Sequence, residues 1–165
     1  MKEIEFKIKG LMMDPLTNSP IVVLQDPESD TLLPIWVGIF EANAIALQIE
    51  KVDTPRPMTH DLMKGLINHL NAKVTKIVVT ELKDNTFYAL IFLDIGEKTI
   101  TVDSRPSDAI ALALRTESPI YVTEEVISKS SSTSANAPSA GQSSPEEIRK
   151  WLENLSPEDL GKYKM

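Results

Sequence analysis

The sequence has no cysteine, which excludes disulfides, thiolate nucleophiles and cysteine metal sites. It has two histidines, His60 and His69, and they lack the close spacing of a zinc-binding pair. Its six glycines form neither a phosphate-cradling loop nor a Gly-x-Ser-x-Gly elbow. No apolar run approaches the roughly 20 residues of a membrane helix. The opening stretch, Met1-Lys-Glu-Ile-Glu-Phe6, alternates like a strand and has no signal-peptide core. Positive charge is also short. The formal net charge is −7 and the pI about 4.9, which argues against a broad basic surface for nucleic acid. A local site remains open, because carboxylate-held cations and clustered arginines both bind phosphate. The expectation is a cytoplasmic protein without a membrane association.

What is present fits one core and one small appendage in 165 residues. Residues 2–12 alternate, with Ile4, Phe6, Ile8 and Leu11 as the apolar set, and predict a half-buried strand. Residues 21–25 and 31–37 predict two more strands, giving a three-strand antiparallel meander. Helices are expected over 39–51 and from Met58, the second with Thr59 as N-cap and Leu62, Leu66, Ile67 and Leu70 as its apolar stripe. Strands follow at 74–82, 87–93 and 99–102, with Asp84-Asn-Thr as a hairpin turn. Pro106 suits a first helical position, opening a buried helix through Leu114. A short strand at 120–122 closes the compact part, 1–127. Residues 128–144 are Ser-rich and expected as a flexible linker. Residues 145–165 carry Ile148, Trp151, Leu152 and Leu155 at helical spacing and predict a short amphipathic tail, too short to be stable alone, which docks on the core, binds a protein partner or stays largely unfolded.

A shift of 65 residues superposes the two halves. Ala44-Ile-Ala-Leu47 falls on Ala109-Ile-Ala-Leu112, and Asn43 on Asp108. Each half reads as three strands and an Ala-rich helix. The fold class is therefore α+β: duplicated meander-plus-helix units forming one curled, barrel-like, mostly antiparallel sheet with packed helices.

Three polar clusters punctuate this plan: Gly38-Ile-Phe-Glu41, Thr54-Pro-Arg-Pro-Met-Thr-His-Asp61 and Asp103-Ser-Arg-Pro-Ser-Asp108. Glu41, His60, Asp61, Asp103 and Asp108 supply oxygen and imidazole ligands for hard divalent cations. Arg56 and Arg105 supply planar forks for phosphate. Each also has a plainer reading. Asp108 caps a helix while Arg105 pairs with Asp103; His60 is a helix polar residue; Asp61 answers the helix dipole. Trp36 and Phe40 read as core, with base stacking the lesser alternative. His69 reads as a surface or core-edge residue.

Four ordered blocks carry a resemblance. They are Leu33-Pro-Ile-Trp-Val-Gly38 with Glu41-Ala42 and Ala44-Ile-Ala46; Pro55-Arg-Pro57 with Thr59-His-Asp61; Asp84 with Thr86-Phe-Tyr-Ala89; and Asp103 with Arg105-Pro-Ser-Asp-Ala-Ile-Ala-Leu112. Over roughly residues 1–127 the chain resembles the bifunctional nuclease domain family. The resemblance implies a duplicated α+β unit and a nuclease acting on DNA and RNA. Asn85 stands where the family usually has glycine. On the chemical argument, Glu41, Asp103 and Asp108 would hold Mg²⁺ or Mn²⁺, His60 or Asp61 would act as general base, and Arg56 and Arg105 would bind phosphate. Thr59 and Ser107, on the same blocks, would add hydroxyls. Two alternatives stand beside the nuclease: a non-catalytic nucleotide-binding or protein-interaction module, and a homo-oligomer whose polar corners lie at subunit interfaces.

Overall fold

The computed structural model describes residues 2–131. The expected tail, and the linker beyond residue 131, lie outside them. The chain runs β1 (Glu3–Met13), β2 (Pro20–Gln25), β3 (Leu32–Trp36), α1 (Ile39–Ile49), α2 (Thr59–His69), β4 (Ala72–Lys83), β5 (Thr86–Ile95), β6 (Lys98–Ser104), α3 (Pro106–Thr116), β7 (Ile120–Thr123) and α4 (Glu124–Ser131). The last helix continues four residues into the stretch expected as linker.

One seven-stranded sheet has the order β3-β2-β1-β7-β4-β5-β6. Every pairing is antiparallel except β4 with β7. Strand β7 sits between the two meanders and joins them. The element order strand-strand-strand-helix occurs on both sides of it, as α1 follows β3 and α3 follows β6. The sheet is open, with β3 and β6 as its edges, and the expected barrel-like closure is not seen. Pro34 is tolerated in β3 because an edge strand has one unpaired side.

Local sequence explains the details. The apolar alternation of β1 slips by one residue between Ile8 and Leu11, and its pairing with β2 shifts register between Ile8 and Gly10. A bulge there re-aims the side chains. At the β4–β5 hairpin, Asp84 and Asn85 have φ of 50° and 60°, the left-handed pair that a tight hairpin turn needs and that Asp and Asn tolerate.

Core residues Ile77, Val79, Ala89 and Ile91 from the sheet meet Ala109, Ile110 and Leu112 of α3, all buried. Helix α3 is almost wholly buried, as its apolar sequence predicts. Helices α1 and α2 both pack against it. The expected stripe of α2 divides. Ile67 and Met63 pack on the core, whereas Leu62, Leu66 and Leu70 are exposed. The expected N-cap shifts as well: Met58 holds that position and Thr59 is the first helical residue. The cap rests on the backbone of Met58, whose N–H donates to Asp61 Oδ2 at 2.9 Å.

Candidate functional site

The N-terminal turns of α1, α2 and α3 are tied together by one chain of polar contacts. His60, in the first turn of α2, is buried, and its Nε2 lies 2.9 Å from Asp108 Oδ1. Asp108 Oδ2 accepts from Arg105 Nε at 3.0 Å and lies 2.9 Å from Arg105 Nη2. Arg105 Nη2 also donates to Glu41 Oε1 at 2.7 Å. A four-residue relay, Glu41–Arg105–Asp108–His60, thus converges from positions far apart in the chain. Arg105 stays half-exposed, and its Nη1 has no partner among the described residues. The carboxylates of Asp108 and then Glu41 raise its pKa above the ordinary arginine value, so it is a permanent cation here.

Local sequence sets this geometry. Pro106 begins α3 with Arg105 as its N-cap residue in extended conformation. Asp108 lies in the first turn and makes no capping bond; its carboxylate is turned to His60 and Arg105. That replaces both plainer readings, the Asp108 cap and an Arg105–Asp103 pair. Gly38, the N-cap of α1, has an ordinary φ of −69°. Its lack of a side chain serves space instead: a β-carbon there would collide with Glu41 Oε2.

On the histidine, Asp108 fixes the proton on Nε2. Nδ1 then carries the free lone pair and has no hydrogen-bond partner among the described residues. Ser107 Oγ is the one sealed, unpartnered polar side-chain atom among the described residues. The arrangement can hold a base nitrogen in a fixed tautomer beside a cation with spare donors.

The remaining expected residues are placed differently. Asp61 belongs to a second network. Its Oδ1 accepts from Arg115 Nε at 2.7 Å and its Oδ2 from Met58 N–H. The Met58 N–H bond, with Arg115 adding to it, holds the Asp61 carboxyl below its ordinary value. Both oxygens are committed, so Asp61 is a poor proton acceptor. Arg115, which the sequence reading did not single out, is buried and also donates to Ala111 O at 2.9 Å and Ala44 O at 3.1 Å. It locks α1, α2 and α3 together behind the relay. The signal was an arginine inside an otherwise apolar helix, seven residues after Asp108 and on the same face.

Arg56 is exposed, with no side-chain partner among the described residues. It lines a cleft of about 310 Å³ with Gln48, Thr54, Asp61 and Arg115. Thr59 is exposed and Ser107 fully buried. Asp103, on β6, is exposed and joins neither network. Trp36 is buried with its Nε1 donating to Asp14 Oδ2, as expected of core. Phe40 is 85% exposed, which overturns its reading as core. His69 is exposed, its Nδ1–H donating to Gly65 O.

The donors do not form a metal cage as placed. Glu41 and Asp108 are bridged by Arg105. Among the described residues no group of three or more His, Asp or Glu is positioned around a common point.

The family model described as bifunctional nuclease domain matches residues 22–135. An uncharacterised protein of Mycobacterium tuberculosis (strain ATCC 25618 / H37Rv) is 35% identical over 162 residues, covering 94% of this chain and 97% of its own length. Bifunctional nuclease 1 of Oryza sativa subsp. japonica is 30% identical over 118 residues, covering 70% of this chain and 36% of the plant protein. Bifunctional nuclease 2 of Arabidopsis thaliana is 29% identical over 108 residues, covering 64% of this chain and 33% of its own. The chain thus corresponds to about a third of the plant proteins. No described helix is long and apolar enough to cross a membrane.

Proposed function

The chain belongs to the bifunctional nuclease domain family, and on that premise we propose that it hydrolyses phosphodiester bonds of DNA and RNA. The observation that supports this reading is the convergence of His60, Asp108, Arg105 and Glu41 on one corner. Asp108 holds the imidazole so that Nδ1 accepts a proton from the attacking water. The free Nη1 donors of Arg105 take the phosphate oxygens, and Glu41 fixes the guanidinium from its other side. Arg56, from the neighbouring cleft, and Thr59 add contacts along the strand. We read the recurring strand-strand-strand-helix order as an internal duplication that brought α1 and α3 side by side.

Mg²⁺ or Mn²⁺ at Glu41, Asp103 and Asp108 would have to displace Arg105 from two of those carboxylates. Metal and chelator are therefore separate conditions of the cleavage assay. The test is cleavage of labelled single-stranded DNA, duplex DNA and RNA by the purified full chain, with Mg²⁺, Mn²⁺ or chelator, beside His60→Ala. Cleavage lost in the variant supports the assignment. Equal cleavage by both proteins overturns it.

A second reading is a nucleotide- or anion-binding module without turnover. The cleft at Arg56, whose guanidinium has no partner among the described residues and which a buried arginine also lines, favours it. Saturable binding of a mononucleotide, lost in Arg56→Ala and with no cleavage under any condition, would select this reading.

A further inference from the structure

Phe40 presents a problem that the fold does not answer. At 85% it is the most exposed large apolar side chain among the described residues. The buried face of α1 consists of Ala42, Ala44 and Ile45, so Phe40 contributes nothing to the packing of its own helix. An aromatic ring kept in water forgoes the stabilisation that burial would give it, and α1 would form as well with a polar residue there. Its position is informative. The next residue, Glu41, accepts the 2.7 Å bond from Arg105 Nη2. An open aromatic ring therefore stands at the same helix end as a half-exposed guanidinium with unused donors.

Resting on the nuclease reading, we infer that Phe40 is a stacking platform for a base of a single-stranded DNA or RNA whose adjacent phosphate is held by Arg105. An aromatic face beside a cation is the combination that binds single strands without sequence preference, because every base offers a π-face and every linkage a phosphate. A duplex uses it less readily, since its bases are already stacked on each other and would have to be unstacked first. The substrate class follows: single-stranded segments, loops and ends bind in preference to duplex. The neighbouring Ile39, 64% exposed, widens the apolar surface; the alternative occupant is a second copy of the chain.

The test is equilibrium binding by fluorescence anisotropy, in chelator, to labelled oligothymidylate, to a duplex of equal length and to an abasic strand of equal length. Wild type is compared with Phe40→Ala, Phe40→Leu and Phe40→Trp, and the mass of each in solution is measured by light scattering. Because the ring is exposed, the variants should melt with wild type. The expected result is a roughly 5- to 100-fold loss of oligothymidylate affinity in Phe40→Ala, restored by Trp and not by Leu, with abasic binding the same in all four. Unchanged oligothymidylate affinity in Phe40→Ala overturns the inference. So does full rescue by Leu, or a dimer that Phe40→Ala dissolves. The nuclease reading fails separately. Stacking-dependent binding with no cleavage in any metal condition leaves the platform and removes the hydrolysis. Cleavage that persists with Phe40→Ala binding intact does the reverse. A wild type that binds none of the probes removes both.

Discussion

His60 Nε2 lies 2.9 Å from Asp108 Oδ1, joining the first turn of α2 to the first turn of α3 across 48 residues of chain. The contact orients a nearly buried imidazole and, through Asp108 Oδ2, couples it to Arg105. His60→Ala removes the base, and Asp108→Asn replaces the carboxylate that holds its tautomer. Each variant is expected to lower the cleavage rate by about 10²- to 10⁴-fold, read as initial rates on one labelled RNA. Full activity in Asp108→Asn would show that the imidazole needs no carboxylate.

Asp61 and Arg115 carry stability. Arg115 is 3% exposed at its side chain, so Asp61→Ala strands a buried cation beside two carbonyls that cannot neutralise it. The expected loss is about 3–5 kcal/mol, measured by urea unfolding. In Asp61→Ala/Arg115→Met no buried charge remains, and the double variant should be less destabilised than the sum of the singles. Strict additivity would mean that the two side chains do not interact.

The same aspartate sets an acid limb. Its folded-state pKa is depressed, chiefly by the Met58 N–H bond and then by Arg115, so the folded chain binds this proton less readily than the unfolded one. The resulting stabilisation is complete above the unfolded value and drains as pH falls through the folded one, which places the loss below about pH 4. Asp26, lowered first by the Ser29 hydroxyl, adds a second share in the same window. Asp61→Asn should be less stable at pH 7 and show a shallower fall of unfolding free energy between about pH 4 and 2. A parallel fall in both proteins would assign the limb elsewhere.

The strands were legible because each half-buried strand alternates, and even the bulge of β1 shows as a slip between Ile8 and Leu11. Asp84-Asn85 announced its turn by the two residues that tolerate positive φ. The open sheet was not legible, since closure depends on how two edge strands, β3 and β6, face each other across the molecule. Nor was the split stripe of α2: Leu62 and Ile67 have the same chemistry, and only the position of α3 decides which is covered. At the site, residue types were readable and partners were not. Arg105 lies two residues from Asp103 and three from Asp108. The helix that begins at Pro106 brings Asp108 under the guanidinium, while Asp103 stays on its strand. The role of Arg115 is masked in the sequence, because a lone arginine near a helix C-terminus ordinarily answers the helix dipole at the surface.

Gly38 offers a test of the relay that leaves its charged groups untouched. A β-carbon at this position would overlap Glu41 Oε2, and the backbone there needs no glycine, since φ is −69°. The obstruction is the far end of a flexible side chain, so Gly38→Ala is expected to swing Glu41 aside at a stability change under about 1 kcal/mol. With Glu41 displaced, Arg105 keeps Asp108 but loses the second carboxylate on Nη2. Phosphate would then meet a less ordered guanidinium. Since positioning is what is lost, the expected effect is a fall of about tenfold in the cleavage rate with the melting temperature nearly unchanged. Glu41→Gln, which keeps the shape and weakens the charge-assisted bond, should fall in the same direction and by less. If Gly38→Ala melts early and cleaves normally per folded molecule, the carboxylate supports the helix end and has no part in holding Arg105 for phosphate.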